Sequence, residues 1–323
     1  MKKVLSFIVI VCCVFSTVGL LSACDDWNNG NLKIVTTIFP EYDWTLNILG
    51  DHADSANVKN LLNSGVDMHS YQPSVADIAN IATCDLFVYV GGESDAWVES
   101  ALKQAANKNM VVIKLLDVMG DSALDEETKD GMQGESGSHD HEDAAELDEH
   151  VWLSLKRAKT AVNAIAQALC TLDADNADDY TLNAHNYCHK LDVLDAEYSQ
   201  AVEGAAVTTL IVADRFPFRY LFSDYELDYY AAFSGCSAET EASVATIAFL
   251  ARKANELQVK VLMKTETGDE KIAQTIINEL DNKAVKILTL NSLQSTSAQD
   301  RAKGVTYLSL MQSNLEVLRE ALQ

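Results

Sequence analysis

From Asn176 to Val202 the chain runs for 27 residues with neither glycine nor proline. Tyr180, Leu182, Tyr187, Leu191, Leu194 and Tyr198 recur there near the 3.6-residue helical period. At 1.5 Å per residue such a helix is about 40 Å long, the width of a small domain. Gly204 predicts where it ends. A rod of this length divides whatever surrounds it, and short apolar runs alternate with helical patterns on both sides. Before it, Lys33–Phe39, Asn57–Leu62, Asp85–Val90 and Met110–Leu115 read as strands. Helices are expected at Tyr42–Leu49, Ser74–Ala82 (with Ser74 as N-cap) and Ala96–Ala106. After it, strands are expected at Thr208–Ala213, Leu227–Phe233, Val259–Met263 and Val285–Leu290. Helices alternate with these at Ser243–Leu257, Glu270–Leu280 and Val305–Leu322.

Near-continuous apolar strands separated by helices imply parallel sheets covered on both faces. The expected fold is therefore α/β, with two Rossmann-like lobes of mainly parallel sheet joined by one long rigid helix. The boundaries read as 33–175 for the first lobe, 176–204 for the linking helix and 205–323 for the second. The first lobe is interrupted at 121–149, where twelve acidic residues, one lysine and the cluster Ser138–Asp143 replace the apolar pattern. Such a segment buries little and reads as a solvated, mobile insertion.

The extreme N-terminus is not part of the fold. Lys2 and Lys3 precede an apolar run to about Leu21, and Leu21-Ser22-Ala23 leads into Cys24. A basic start, a short apolar core and a small-residue exit make 1–23 an export signal rather than a membrane span. Small residues directly before Cys24 resemble a bacterial lipobox, which implies lipid attachment at Cys24. Residues 24–32 then read as a polar tether from the membrane to the domain. The formal charge is −24, and loss of Lys2 and Lys3 with the signal makes the mature chain more acidic still. That balance excludes a nucleic-acid partner and attracts cations in a general way. Cys84, Cys170, Cys188 and Cys236 remain after the signal and the lipidated Cys24 are set aside; they allow up to two disulfides of open connectivity, or buried free thiols.

In open α/β sheets, ligand-binding groups collect beyond the carboxyl ends of the strands. His69 follows the second expected strand, and Asp148-Glu149-His150 follows the fourth, past the acidic segment. Asp214-Arg215, Thr265-Glu266 and Asn291 follow strands of the second half. Two imidazoles and a carboxylate meeting between the halves are zinc or manganese chemistry.

These same residues carry a resemblance. Gly65–Ser74 (GVDMHSYQPS) is similar to the "GVDPHSFEPS" motif of the metal receptors of bacterial zinc and manganese ABC importers, and Asp148–Leu153 (DEHVWL) resembles their "DPHVWLDP". Ser237–Ser243 resembles "SPEAEPS", and Lys264–Glu266 lies where the family has "FTE". The likeness runs from Lys33 to Leu322. It implies a cell-membrane lipoprotein that is not an enzyme, captures Zn2+ (Mn2+ as the lesser alternative) in the cleft between lobes and passes it to an importer permease. It also implies a monomer in which the linking helix limits hinge motion.

By the same resemblance, His69 and His150 are metal ligands. Two departures follow. Position 215, a ligand in the family, is here arginine, which has no lone pair to donate. Asn291 lies where many members have a ligating aspartate, and the resemblance then points to Glu266 as third ligand. Water, Asp214, or a histidine of the acidic loop (His139 or His141) is left for the fourth position. His139 and His141 are also candidates for accessory metal capture, and Arg215 is expected to pair with Glu239 or Glu241. A zinc-dependent hydrolase and a metal-stabilised surface adhesin are the competing classes. The hydrolase needs a substrate pocket and a positioned base, and the adhesin repeats or apolar patches; the chain marks none of these.

Overall fold

The computed structural model describes Trp27 and residues 30–133, 146–237 and 241–323. Cys24, His139, His141 and Glu239 lie outside these residues. No helix among those described is long and apolar enough to cross a membrane.

Two four-stranded parallel sheets form the frame. The first contains β1 (Leu32–Thr36), β2 (Ala56–Asn60), β3 (Leu86–Tyr89) and β4 (Val111–Lys114) in the order β2-β1-β3-β4. The second contains β5 (Thr209–Phe216), β6 (Asp228–Ser234), β7 (Val261–Lys264) and β8 (Lys286–Thr289) in the order β6-β5-β7-β8. Both halves thus wind identically, a repeat that their sequences do not display. In each, strand order reverses beside the first strand, and a crevice opens at the carboxyl ends there.

The helices cover these sheets for reasons visible in the residues. Leu210 and Val212 of β5 join the main core, whereas Ile211 and Ala213 point into a second cluster with Phe233 and Leu250. This alternation is the two-residue period of a strand buried on both faces. The long helix spans Ala177–Glu203 and buries Tyr180, Ala184, Tyr187, Leu191, Leu194 and Tyr198. Leu182, expected in that stripe, is 57% exposed. The helix lies against Leu155–Leu172, Phe39–Leu49 and Tyr307–Ala321, so helices from both ends of the chain pack on it. Cys84, Cys170, Cys188 and Cys236 are all free thiols, and none forms a disulfide.

Three local readings change. The expected strand to Phe39 stops at Thr36, because the Glu41 carboxylate accepts the backbone N–H groups of Thr37 and Ile38 at 2.8 and 3.2 Å and starts a helix at Phe39. Leu115, read as the end of a strand, instead opens a short helix, Leu115–Met119, with Leu115, Leu116 and Met119 buried. The acidic segment is not simply solvated where it is described. Gln133 N–H reaches Ala232 O at 2.9 Å, and Arg219 pairs with Glu127 at 2.7 Å. Its described ends therefore dock on the second lobe through polar contacts, which a search for apolar residues cannot see.

One buried carboxylate makes stability depend on pH. Asp43 is 7% exposed and accepts from the Tyr187 hydroxyl at 3.3 Å. Burial pushes its pKa up to about 6, outweighing the hydrogen bonds that favour the charged form. A raised carboxyl pKa contributes stability that is present in full below about pH 4 and lost as pH rises through about 6. Asp43→Asn keeps an acceptor without the charge. Urea unfolding should find it more stable than wild type by up to about 3 kcal/mol at pH 8, with the difference vanishing near pH 4. A difference independent of pH would refute the assignment.

Candidate metal centre

The two motif histidines arrive from different parts of the first lobe. His69 sits in a single 3-10 turn, Met68–Ser70, whose start is capped by Asp67: its Oδ1 accepts the His69 backbone N–H at 3.0 Å. His150 lies just before a second such turn, Val151–Leu153, and is fully buried. The Asp148 carboxylate holds both its backbone N–H (2.8 Å) and its ring Nδ1 (3.1 Å). A carboxylate can only accept, so His150 carries its proton on Nδ1 and Nε2 is left with a lone pair. Ser94 Oγ stands 2.7 Å from His69 Nδ1 and Glu149 Oε2 3.8 Å away, so the polar partners of His69 are also on its Nδ1 side.

The two Nε2 atoms consequently face each other at 3.4 Å. Opposed lone pairs at that distance repel unless a proton or a metal ion lies between them. Two Zn–N bonds of about 2.05 Å at the tetrahedral angle span about 3.4 Å. The pair is thus already at metal-ligand spacing.

Electrostatics follow from the surroundings. Burial and the neighbouring His150 charge lower the pKa of His69 to about 4. Burial also opposes charge on His150, but Asp148 outweighs it and holds that pKa above the ordinary imidazole value. A metal ion held by both Nε2 atoms needs both rings unprotonated there, so acid competes with it for the site. A cleft of about 470 Å³ opens from His69 and is lined by Glu93, Glu126, Glu146 and Glu149 among others. Glu149 is 2% exposed, and its Oε2 has no hydrogen-bond partner. Gly92 lets it in: a Cβ at that position (φ +83°) would fall 2.3 Å from Glu149 Oε1.

The second lobe meets this pair differently from expectation. Among the described residues, the group that brings ligating atoms within 4.8 Å of one another is His69, His150 and Cys236. Glu266 does not join it; its carboxylate accepts from Ser292 N (2.8 Å), Ser292 Oγ (2.7 Å) and Ser295 Oγ (2.9 Å). Asp214 is occupied likewise, by Thr265 N and Oγ1 at 2.9 and 2.6 Å. Arg215 pairs with Asp67 at 2.6 Å across the cleft, not with Glu241. A register shift in β5 between Val212 and Arg215 turns this side chain. Burial opposes ionisation of Asp67, yet Arg215 and His69 hold its pKa below the ordinary carboxylate value.

Cys236 was reachable from sequence, since it stands two residues past β6 and obeys the same end-of-strand rule. The sequence placed it only among possible disulfide partners or buried free thiols, and it is a free thiol. Asp148 and Ser94 carry no such signal, because their role depends on ring orientation.

The profile of the zinc-uptake complex component A periplasmic family, ZnuA, matches residues 34–321. The chain belongs to the ZnuA family. The zinc-binding lipoprotein AdcA of Streptococcus pneumoniae serotype 4 (TIGR4) is 32% identical over 325 residues, 99% of this chain but 61% of AdcA. This chain thus spans less than two thirds of that relative's length. The high-affinity zinc uptake system protein ZnuA of Bacillus subtilis (strain 168) is 32% identical over 300 residues, 92% of this chain and 89% of its own. The Zn(II)-bound ZnuA-like domain of Streptococcus pneumoniae AdcA superposes with a TM-score of 0.70 at 31% identity, covering 91% of this chain and 99% of that domain. The two-lobed fold with its long helix is that of ZnuA-like solute-binding proteins.

Proposed function

We propose that this ZnuA-family chain is an extracytoplasmic solute-binding protein, not an enzyme, that captures Zn2+ through His69 and His150 and delivers it to the permease of an ABC importer. The observation that carries this is the pair of Nε2 atoms at 3.4 Å, each ring anchored through its Nδ1 side, at the mouth of an acidic cleft. The names of the relatives support the same reading. A lipid on Cys24 tethers the domain to the membrane, and the protein acts as a monomer. His139 and His141 serve as transient capture groups on the way in. Glu266 holds the 292–295 loop in the state described here and is available as a further ligand only if that loop releases it. Imidazole ligands favour zinc over manganese, which prefers carboxylate, carbonyl and water oxygens.

Native mass spectrometry under zinc and manganese competition tests the reading. One zinc per chain, retained against excess manganese, is expected; saturation by manganese with zinc excluded would overturn it. Orientation of the ring gives a second check. Asp148→Asn keeps the shape but weakens the acceptor that holds His150 Nδ1–H, and should cost about 10- to 100-fold in zinc affinity. A chelator competition titration showing wild-type affinity would mean Asp148 does not position the ring.

A further inference from the structure

We infer that the Cys236 thiolate is a third zinc ligand, so that the second lobe closes the site through sulfur rather than through β5 or Glu266; the inference rests on the capture reading and names its coordination shell. Cys236 does not stand alone. Its sulfur shares a 4.8 Å cluster with ring nitrogens of His69 and His150, and three separate chain segments converge there. Zn–S and Zn–N bonds of about 2.3 and 2.05 Å at the tetrahedral angle separate sulfur from nitrogen by about 3.6 Å. A small side-chain movement therefore closes the triangle.

The other candidates from the second lobe are committed elsewhere. Arg215 has no lone pair and spans the cleft to Asp67. Both oxygens of Asp214 and of Glu266 already accept hydrogen bonds. The backbone brings Cys236 inward for a visible reason. A Cβ on Gly235 would lie 2.9 Å from Phe216 O and 3.1 Å from His150 Cε1, so only glycine lets the end of β6 run against the buried imidazole. The Cys236 N–H is in turn held by Glu126 Oε1 at 3.2 Å. The buried Glu149 Oε2 beside the cluster accepts no hydrogen bond and stands 3.8 Å from His69 Nδ1, a second sign that a cation belongs there.

The chemistry is balanced by proton release. Binding of Zn2+ displaces the thiol proton to solvent, and a single S–Zn bond forms with no change of oxidation state. A thiolate in the shell strengthens the preference for zinc over manganese, because soft sulfur suits Zn2+ and not Mn2+.

Cobalt substitution reads this directly. The reduced wild-type protein loaded with Co2+ should show a near-ultraviolet sulfur-to-cobalt charge-transfer band. Cys236→Ser should bind cobalt without that band, lose at least tenfold in zinc affinity and discriminate less against manganese. Cys236→His guards against a folding artefact: it should recover zinc affinity with the band still absent, and its far-ultraviolet circular dichroism should match wild type. A cobalt-loaded wild type without the band, or a Cys236→Ser variant with wild-type zinc affinity, overturns the inference. If His69→Ala still lowers zinc affinity by about 10²-fold or more in that same series, zinc capture stands and only the sulfur ligand falls. Failure of the wild type to bind zinc or cobalt at all sinks both.

Discussion

His69→Ala is expected to lower zinc affinity by about 10²- to 10³-fold. A protein zinc site is worth about 10–16 kcal/mol shared among three or four ligands, so one ligand accounts for roughly 3–4 kcal/mol. His69 is the ligand to remove, because its side chain reaches the surface of the cleft, whereas His150 is fully buried and its loss would also open a cavity. The metal-free variant should keep the wild-type fold, since the His69 ring borders the cleft rather than filling the core. Zinc should then raise the melting temperature of wild type strongly and of the variant weakly, because stabilisation follows the ratio of free metal to Kd. Competition with a chromophoric chelator measures the first effect and a thermal melt the second. An affinity within threefold of wild type would remove His69 from the site.

The largest expected loss of stability is at Trp152. This side chain is fully buried and donates from Nε1 to Ser292 O at 2.8 Å, a bond from the first lobe to the loop after β8. Its own carbonyl accepts from the Tyr307 hydroxyl at 2.7 Å, and its ring lies 5.2 Å from that of His150. Trp152→Ala therefore leaves a large cavity and orphans a buried carbonyl, for about 3–5 kcal/mol. Trp152→Phe refills most of the cavity and should cost about 1–2 kcal/mol, chiefly for the unpaired Ser292 carbonyl. Because the indole buttresses His150, both variants should also weaken zinc binding. Urea unfolding that placed the alanine variant within 1 kcal/mol of wild type would contradict this role.

The linking helix illustrates what a pattern can and cannot deliver. Its limits were legible to within a residue, because an uninterrupted helical period and a glycine stop are local properties. Leu182 was misplaced, since which flank of a rod is covered depends on the helices laid against it. The short helix at Leu115–Met119 was missed for a related reason: five residues are too few to show a period. Glu41 is another case, where a single carboxylate ends a strand by capturing two backbone amides that apolar patterning does not register.

The centre divides in the same way. His69 and His150 sit in motifs with recognisable neighbours, and both lie where strands of the first lobe lead. The third direction was read from position 215 and its neighbours, and there the chain had changed: Arg215 turned to Asp67, and Glu266 turned to Ser292 and Ser295. Nothing local distinguishes a glutamate that faces a cleft from one that secures a loop.

The sequence by itself thus determined the α/β alternation, the long helix, the charge and the two imidazoles, because each depends on residue type and spacing along the chain. Only the tertiary structure decided that the two Nε2 atoms stand at tetrahedral spacing, that Arg215 ties the lobes together, and that Cys236 rather than Glu266 completes the nearest cluster. Those are distances between segments about 80 to 170 residues apart. They are set by the packing of two separate sheets, by the bulge in β5 and by the missing Cβ at Gly235, none of which has a periodic signature in the chain.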